Sequence, residues 1–403
     1  MTSSQILNTD VCIVGGGPAG MLLGLLLAER NIDVIVLEAH LDFQREYRGE
    51  VLMPRFSQMF KQIGLFDDLM GHQHIKLDSL EMFFKNWKIA RMDFANLCAE
   101  APFALWMPQP VLLNALYERA KPNPHFKMLF STAASGLIEE QGIIRGVMAR
   151  RLEEILEIRA RVTVGCDGRN SVVRRLGGFQ IGYEKYEFDV IWFTVPKPEN
   201  YENTFRVFIS PSKTFLVLPK YPDSLQCGLI VPKGGFNDYR QRGIEALRKD
   251  ILSAHWSLGS FAQGLRDLKD FKHFSVLQAR SERVKQWARE GCLLIGDSAH
   301  TCSPAGAVGV SEAVATAIVC AGVLSKGFKA NDVSLAVLNQ VQALREADVR
   351  QTQQLQERFT AVLFFKFPLL RWLIVPTIFL LNKTGLLRMG QRRLAVMSKP
   401  LPT

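Results

Sequence analysis

Apolar and polar positions near the N-terminus change from a strand-like spacing to a helix-like spacing and back again. The run Asp10–Val14 predicts a short buried strand, Met21–Arg30 predicts a helix, and Asp33–Leu37 predicts a second strand. A strand, a helix and a second strand in this order predict a βαβ unit with two parallel strands.

Two later segments repeat the pattern of an apolar strand followed by a tight turn that contains a carboxylate. Ala160–Val164 runs into Gly165-Cys166-Asp167-Gly168, and Cys292–Ile295 runs into Gly296-Asp297. Between these segments, alternating apolar positions separated by turn residues predict an antiparallel sheet. Its predicted strands include Val190–Val195, Thr204–Ile209, Phe215–Leu218 and Gln226–Val231.

Length and composition limit the classes of protein that fit this pattern. With 403 residues, of which 48% are hydrophobic, the chain is long enough for two associated globular domains. The net charge of +10 suits an acidic partner, but the chain has no nucleic-acid recognition motif, and the pyrophosphate of a dinucleotide is a sufficient acidic ligand. We therefore expect no nucleic-acid partner.

The seven cysteines lie far apart and form no CxxC pair. This spacing predicts neither a disulfide framework nor a metal site. The first ten residues are polar and lead directly into a strand, which leaves no room for a signal peptide. We expect a cytoplasmic protein.

The turn after the first strand reads Gly15-Gly16-Gly17-Pro18-Ala19-Gly20. In such a turn Gly15 permits the tight bend, Gly17 lets the backbone approach a pyrophosphate, and Gly20 lets the helix pack closely on the strand. The helix N-terminus offers free N–H groups and a positive dipole end to the phosphates. Glu38, at the end of the second strand, is expected to accept hydrogen bonds from a ribose. The ligand is a dinucleotide, and this motif leaves NAD and FAD as alternatives.

The three glycine-containing segments, in this order along the chain, resemble those of the class A flavoprotein monooxygenases, the family of para-hydroxybenzoate hydroxylase and the ubiquinone-biosynthesis hydroxylases. The resemblance covers nearly the whole chain and selects FAD. It implies an α/β fold with a Rossmann-like FAD-binding domain of the glutathione-reductase type, an inserted antiparallel β-sheet substrate domain and a helical C-terminal tail. The predicted FAD-binding domain is discontinuous and comprises residues 1–74, 108–180 and 276–345, and residues 75–107 and 181–275 form the substrate domain.

Motif and resemblance together predict the residues that bind FAD. These are Gly15, Gly17, Pro18, Ala19, Gly20, Glu38, Ala39, Arg48, Gln109, Asp167, Gly168, Gly296, Asp297, Pro304, Gly306, Gly309 and Val310. By resemblance, Asp297 binds a hydroxyl of the FAD ribityl chain, Arg48 lies near the phosphates and ribose, and Gln109 contacts the flavin. No histidine or cysteine stands in a recognised flavin-linkage context, so FAD is expected to bind non-covalently.

The chemistry is centred on the flavin, and the candidate catalytic residues are Arg48, Pro304 and Ser311. Ser311 stands where many members of the family have asparagine. Asp167 has a second interpretation as the cap of the helix that follows it. A structural role is expected for His300, and a place in the core for Cys302.

The predicted sheet supplies bulky candidates for a substrate pocket. These are Trp192, Arg206, Phe208, Phe215 and Leu216, together with Trp106 from the preceding segment. Each aromatic or aliphatic residue could equally belong to the core of the sheet, and Arg206 could anchor a carboxylate or phenolate or lie at the surface. Collectively they predict an apolar substrate.

Residues 346–403 are predicted to form a helical, basic and apolar C-terminal segment. No acidic residue follows Arg358, and the apolar stretch Phe359–Leu381 is interrupted by Lys366, Pro368 and Pro376 among others. These interruptions argue against a membrane-spanning helix. Two roles remain open: peripheral contact with the cytoplasmic membrane, or a cap docked on the FAD-binding domain.

By resemblance, NAD(P)H binds transiently and reduces FAD, O2 adds at flavin C4a, and the hydroperoxide hydroxylates or epoxidises an apolar aromatic or polyene-like molecule. Three alternatives share the FAD domain: a flavin-dependent halogenase, whose WxWxIP signature is missing here, a prenyl-chain reductase, and a non-catalytic flavin-binding subunit. The sequence leaves the oligomeric state, the substrate and the choice of NADH or NADPH open.

Overall fold

The protein is described from a computed structural model. It covers residues 5–44, 51–85, 87–210, 213–253, 259, 261–363, 368–386, 389, 392, 396 and 399–402. Within these ranges the strands are β1 (Gln5–Val14), β2 (Val34–Leu37), β3 (Val51–Leu52), β4 (Ile75–Leu77), β5 (Ser79–Phe84), β6 (Trp87–Asp93), β7 (Ala104–Trp106), β8 (Phe126–Leu129), β9 (Thr132–Glu140), β10 (Ile143–Arg151), β11 (Glu154–Gly165), β12 (Ile181–Pro196), β13 (Thr204–Ile209), β14 (Thr214–Lys220), β15 (Ser224–Pro232), β16 (Ser275–Val284), β17 (Ala288–Arg289), β18 (Cys292–Leu294) and β19 (His300–Thr301).

The helices in the same ranges are α1 (Pro18–Ala28), α2 (Pro54–Gln62), α3 (Phe66–Met70), α4 (Phe94–Leu97), α5 (Gln109–Ala120), α6 (Val172–Leu176), α7 (Gly235–Arg242), α8 (Ile244–Leu252), α9 (Ala262–Asp267), α10 (Gly309–Lys329), α11 (Leu335–Leu363) and α12 (Pro368–Lys383). Proline stands in the first turn of α1, α2 and α5, where its missing N–H costs no hydrogen bond. For this reason α1 starts at Pro18, three residues before the predicted start.

The first sheet carries the predicted βαβ unit. Its strands lie in the order β17-β18-β11-β1-β2-β8, and β10 and β9 extend it from β11. The pairs β11–β1, β1–β2, β2–β8 and β11–β18 are parallel. Almost every residue of α1 is buried, since the helix packs between this sheet and α5 and α10.

The second sheet has the order β19-β16-β12-β15-β14-β13-β5-β6. Its pairs are antiparallel except for β13 with β5. A small third sheet has the order β3-β7-β4. The predicted fold class, an α/β FAD-binding fold with an antiparallel sheet, is confirmed.

Strand pairing differs from the predicted domain division at one boundary. The prediction begins the last part of the FAD-binding domain at residue 276, but β16 pairs with β12 along most of its length in the second sheet. β16 contains many charged and polar residues, so its sequence lacks the regular apolar alternation that predicts a sheet strand. β19 pairs with β16, so the third glycine-containing segment joins the two sheets.

The C-terminal helices pack on the rest of the chain where they are described. Ile378 of α12 is buried beside β6 and β13, and Leu401 belongs to the main core. In the described ranges one helix, α10, is long and apolar enough to cross a membrane, and 83% of its apolar window is buried inside the molecule. A helix that is buried in a protein core can be as long and apolar as a membrane-spanning helix, so this composition is only weak evidence for a membrane span.

Candidate active site

A cavity of about 480 Å³ lies between the first and second sheets. One wall is formed by the turns that follow β1, β2 and β11, and the opposite wall is formed by one face of the second sheet. Ligands of parallel α/β sheets bind outside the carboxyl ends of the strands. The cavity therefore lies where the βαβ unit predicts a ligand.

The turn after β1 is tight, and its backbone lies very close to the backbone of the turn after β11. Gly15 has a φ of +107°, and a Cβ built on it would lie 2.5 Å from the carbonyl oxygen of Cys166. A Cβ on Gly20 would lie 2.0 Å from the Gly15 oxygen. Only glycine fits either position, as the motif predicts.

Glu38 lies at the end of β2 and lines the cavity, and its side chain is almost fully buried. Its carboxylate accepts hydrogen bonds from the Gly16 N–H at 3.0 Å and from the His40 N–H at 3.1 Å. These bonds hold the carboxylate beside the glycine turn and compensate for the cost of its burial.

Asp167 fits both of its predicted interpretations. Its carboxylate accepts the N–H groups of Val172 at 2.6 Å and Val173 at 3.1 Å and so caps α6, while Asp167 itself lines the cavity. Ser298 ties this turn to the third segment, because its hydroxyl donates to Asp167 at 3.1 Å and accepts from the Gly168 N–H at 3.0 Å.

Asp297 lines the same wall in a short 3-10 turn, Gly296–Ser298. Its side chain is 29% exposed, and Oδ2 lies 3.4 Å from Nε of Arg169. Arg169 is a cavity residue that the motifs did not single out, although it directly follows the Asp167-Gly168 turn.

The loop before α10 and the first residues of this helix complete the wall with Pro304, Gly306, Gly309 and Val310. Because α10 begins at Gly309, the positive end of a 21-residue helix faces the cavity. Gln356 of α11 holds the loop by donating to the carbonyl oxygens of Ser303 and Ala305, both at 2.6 Å. No motif pointed to Gln356, since α11 is distant in sequence.

One of the predicted site residues, Ser311, has another position. Ser311 is fully buried and is absent from the cavity lining, and its hydroxyl has no partner among the described residues, so its candidacy as a catalytic residue is corrected. Ser311 directly follows the lining residue Val310 in α10, but its side chain is buried inside the protein. Arg48 lies outside the described residues. Gln109 lines the cavity at the start of α5, and its contact with the flavin stays a prediction.

His300 has the predicted structural role. Nε2 lies 2.9 Å from the Thr316 hydroxyl, and the ring packs against Trp287 with centroids 4.8 Å apart. Burial, followed by the charge of Arg345, lowers the pKa of His300 to about 4. The imidazole is therefore neutral at pH 7.

The alternation of side chains along the strands decides which predicted substrate residues reach the cavity. Trp192 and Leu216 line it, whereas Phe208 and Phe215 point to the opposite face and belong to a separate apolar core. The prediction that Phe208 and Phe215 line the pocket is therefore wrong. The cavity face of the second sheet consists of Leu80, Phe188, Val190, Trp192, Phe205, Val207, Leu216, Leu218, Gln226, Ile230 and Leu277.

Arg206 also points away from the cavity. Its Nε lies 3.1 Å from Glu81, which is 1% exposed, and Nη2 lies 2.9 Å from Glu202. Arg206 neutralises the charge of the buried Glu81 carboxylate and does not anchor a substrate. Trp106 is 1% exposed and lies behind the cavity wall, where its indole N–H donates to Gln226 Oε1 at 2.8 Å.

Trp192 lies across the sheet because its neighbour in the ladder is Gly228. A Cβ on Gly228 would lie 2.7 Å from Cζ3 of Trp192. Because Gly228 has no side chain, the indole of Trp192 can pack against the backbone of the sheet, with Val190 beside it.

The glycine turn, the buried acid after β2 and two helix N-termini at one cavity define a dinucleotide-binding oxidoreductase with a second sheet over the ligand. The chain belongs to the FAD binding domain family, whose pattern matches residues 8–336. The family, the FAD cofactor and the function of an FAD-dependent monooxygenase with NAD(P)H as donor are as predicted, and all three are confirmed.

The chain is 33% identical over 356 residues to a 6-methylpretetramide 4-monooxygenase from Streptomyces rimosus, a match that covers 87% of this chain and 83% of the relative. It is 23% identical to a 1H-pyrrole-2-carbonyl-[peptidyl-carrier protein] brominase from Pseudoalteromonas luteoviolacea, with 82% and 80% covered. The solved p-nitrophenol 4-monooxygenase from Pseudomonas putida has the same fold, with a TM-score of 0.78, 18% identity and coverage of 98% and 100%.

Proposed function

We propose that this monooxygenase hydroxylates an uncharged, apolar aromatic compound, with FAD along the wall of turns and the substrate against the second sheet. The observation that carries the proposal is the chemical character of the sheet face. Its described residues are apolar except for the Gln226 amide, and none of them is charged. Among the described residues of that face none is an arginine that could anchor a carboxylate, and Arg206 is paired on the other side of the sheet.

The residues of the wall of turns fit FAD. The close approach at Gly15 and Gly20 leaves backbone N–H groups accessible for a pyrophosphate, and Glu38 lies where a ribose would bind. Asp297 is placed to accept from a ribityl hydroxyl, and the N-terminus of α10 is placed to stabilise negative charge on the ring. When bound, FAD supplies electron transfer from NAD(P)H and activation of O2, which no side chain can provide.

The protein residues then act on the substrate by position and by exclusion of water. Trp192, Leu216 and Phe205 offer a broad apolar surface on which an aromatic ring can lie flat. The same surface keeps water from the reacting atoms. The relative from Streptomyces rimosus is by its name a 6-methylpretetramide 4-monooxygenase, which supports oxygen insertion into an organic substrate by this chain.

We also expect the enzyme to work in the cytoplasm. All seven cysteines are free thiols, six of them buried, as in a protein of a reducing compartment. Contact of the C-terminal segment with the membrane stays a prediction.

The proposed reaction is tested with isotopic oxygen. Purified protein is incubated with NADPH or NADH and phenols or fused aromatic phenols under ¹⁸O2, and parallel samples contain H2¹⁸O and bromide. We expect the aromatic substrate to accelerate NAD(P)H oxidation. The product should carry one labelled oxygen atom, and this atom should come from O2 only. Label from water, a brominated product, or hydrogen gained without oxygen contradicts the proposal.

A further inference from the structure

The contact between Trp106 and Gln226 determines the orientation of the amide in the cavity wall. The indole N–H of Trp106 donates to the amide at 2.8 Å, and both residues are 1% exposed. An indole N–H is only a donor, so the amide atom facing it must be the oxygen. The NH2 group of Gln226 then faces the other way, and no other hydrogen bond of this side chain is formed with the described residues.

Both residues are held in place by sheet ladders. Gln226 lies on β15 between Thr194 of β12 and Leu218 of β14. Trp106 lies on β7 between Val51 of β3 and Ile75 of β4. Because each backbone is paired on both sides, the two side chains start from fixed positions. If the amide turned, it would lose its hydrogen bond to the indole. It is a preorganised donor.

The amide is also isolated in an apolar surface. Gln226 lines the cavity beside Leu218, and the neighbouring lining residues Trp192 and Leu216 are hydrophobic. A polar group that is removed from water in such a surface costs free energy unless a partner binds it. The amide N–H group is a donor, so it needs a partner with a lone pair, such as an oxygen atom.

We infer that the Gln226 NH2 group donates a hydrogen bond to a phenolic or carbonyl oxygen of the aromatic substrate, and thereby selects oxygen-bearing rings and sets their orientation. This inference rests on the proposed function and gives its substrate class: an uncharged aromatic compound with an oxygen substituent at the end that reaches β15. The orientation decides which ring carbon is presented for hydroxylation.

Two probes that differ only in the oxygen test the inference, namely 2-naphthol and naphthalene. Their dissociation constants are measured with the FAD-loaded protein from the change in flavin absorbance. We expect the wild type to bind 2-naphthol roughly three- to tenfold more tightly than naphthalene, the range for one neutral hydrogen bond. In Gln226→Met we expect this preference to disappear while naphthalene binding is unchanged.

Gln226→Met leaves the buried Trp106 N–H without an acceptor and could therefore disturb folding. A second variant separates this effect from the loss of the substrate contact. The double variant Trp106→Phe with Gln226→Met removes both partners, and we expect it to show the same loss of preference with normal FAD content. Gln351→Met makes the same chemical change at an exposed position of α11 and should preserve the preference.

The results separate the inference from the proposed function. If the wild type binds both probes equally, or if Gln226→Met keeps the preference, the inference is overturned, even where label from ¹⁸O2 confirms aromatic hydroxylation. If the preference depends on Gln226 but no aromatic compound gains label, the inference stands as a binding site and the proposed function fails.

Discussion

Asp297 and Arg169 face each other at the cavity wall, with 3.4 Å between Oδ2 and Nε. Arg169 also donates to the Gln278 carbonyl oxygen at 2.9 Å, which joins the wall of turns to the second sheet. The pair keeps a carboxylate beside the cavity without enclosing it, so Asp297 retains acceptor capacity for a ligand hydroxyl.

We therefore expect Asp297→Ala to lose most of its FAD. A hydrogen bond to a charged group contributes about 1.5–3 kcal/mol, which corresponds to a roughly 10- to 150-fold weaker affinity. Flavin content after gel filtration and titration of the apoprotein measure the change. The matched control is Asp223→Ala, at a side chain that is 86% exposed, which should retain full occupancy. Equal FAD affinity in the wild type and Asp297→Ala would falsify the role of Asp297.

FAD is expected to bind without a covalent bond. Cys166 and Cys302 line the cavity, and burial raises the pKa of both thiols well above the ordinary value. The uncharged thiol is a weak nucleophile. Acid denaturation followed by centrifugation should leave all the flavin in the supernatant. Colour in the pellet would contradict this expectation, and Cys166→Ala and Cys302→Ala would then identify the linkage.

The buried Glu312 connects three helices beneath the cavity loop. Its carboxylate binds Arg55 of α2 at 2.7 Å, Thr352 of α11 at 2.8 Å and also Arg345 of α11. Burial alone would raise the pKa of Glu312, but the two guanidinium groups outweigh burial and lower the pKa. The carboxylate is therefore charged in the folded protein.

Glu312→Gln should lower the free energy of unfolding by about 3 kcal/mol, because the buried Arg55 and Arg345 lose the charge of Glu312, and Arg345 keeps only its pair with Asp348 at 2.7 Å. Urea unfolding at pH 7 measures the change. Glu118→Gln is the control, since Glu118 forms an exposed pair with Lys121, and it should cost less than about 1 kcal/mol. Similar losses in the two variants would show that the Glu312 network contributes no more than a surface pair.

His300 should make the protein less stable in mild acid. Its folded-state pKa of about 4 lies below the ordinary 6.5, so the unfolded chain binds the proton more readily. The contribution to stability is complete above pH 6.5 and is lost as the pH falls from 6.5 towards 4, by about 3 kcal/mol in total. We expect the unfolding midpoint of His300→Gln to depend less on pH in this interval than that of the wild type. Parallel curves would assign the acid sensitivity to other groups.

The C-terminal segment is expected to act as a docked cap. Leu401 is buried in the main core, and its N–H and carbonyl oxygen are bound by the Gln62 amide at 3.1 and 2.7 Å. Leu401→Ala should lower the free energy of unfolding by about 2 kcal/mol, whereas Pro402→Ala, at an exposed position, should have little effect.

Deletion of residues 385–403 tests the same segment for membrane contact. The deletion also removes the buried Val396 and should lower the melting temperature. Sedimentation with anionic liposomes measures binding before and after the deletion. An unchanged melting temperature together with lost liposome binding would favour a membrane anchor over a cap.

The sequence by itself determined the wall of turns. Gly15, Glu38, Asp167 and Asp297 each lie within three residues of the end of an apolar strand, and the carboxyl ends of parallel strands meet at one edge of the sheet. Local order along the chain was therefore enough to bring these residues to one cavity. The resemblance of the three glycine-containing segments to the class A flavoprotein monooxygenases predicted the family and selected FAD, whereas close backbone approach explains only why glycine stands at these turns.

Only the tertiary structure decided the substrate side. Phe208 and Leu216 look alike in the sequence, but strand parity and the register of β13 with β14 place one in the core and the other in the cavity. Arg206 turns away from the cavity because it pairs with the buried carboxylate of Glu81, which lies 125 positions away in the chain. The direction of the Gln226 amide depends on an indole from another sheet, 120 positions away. Contacts of this kind arise from packing between sheets, and no local pattern of residues encodes them.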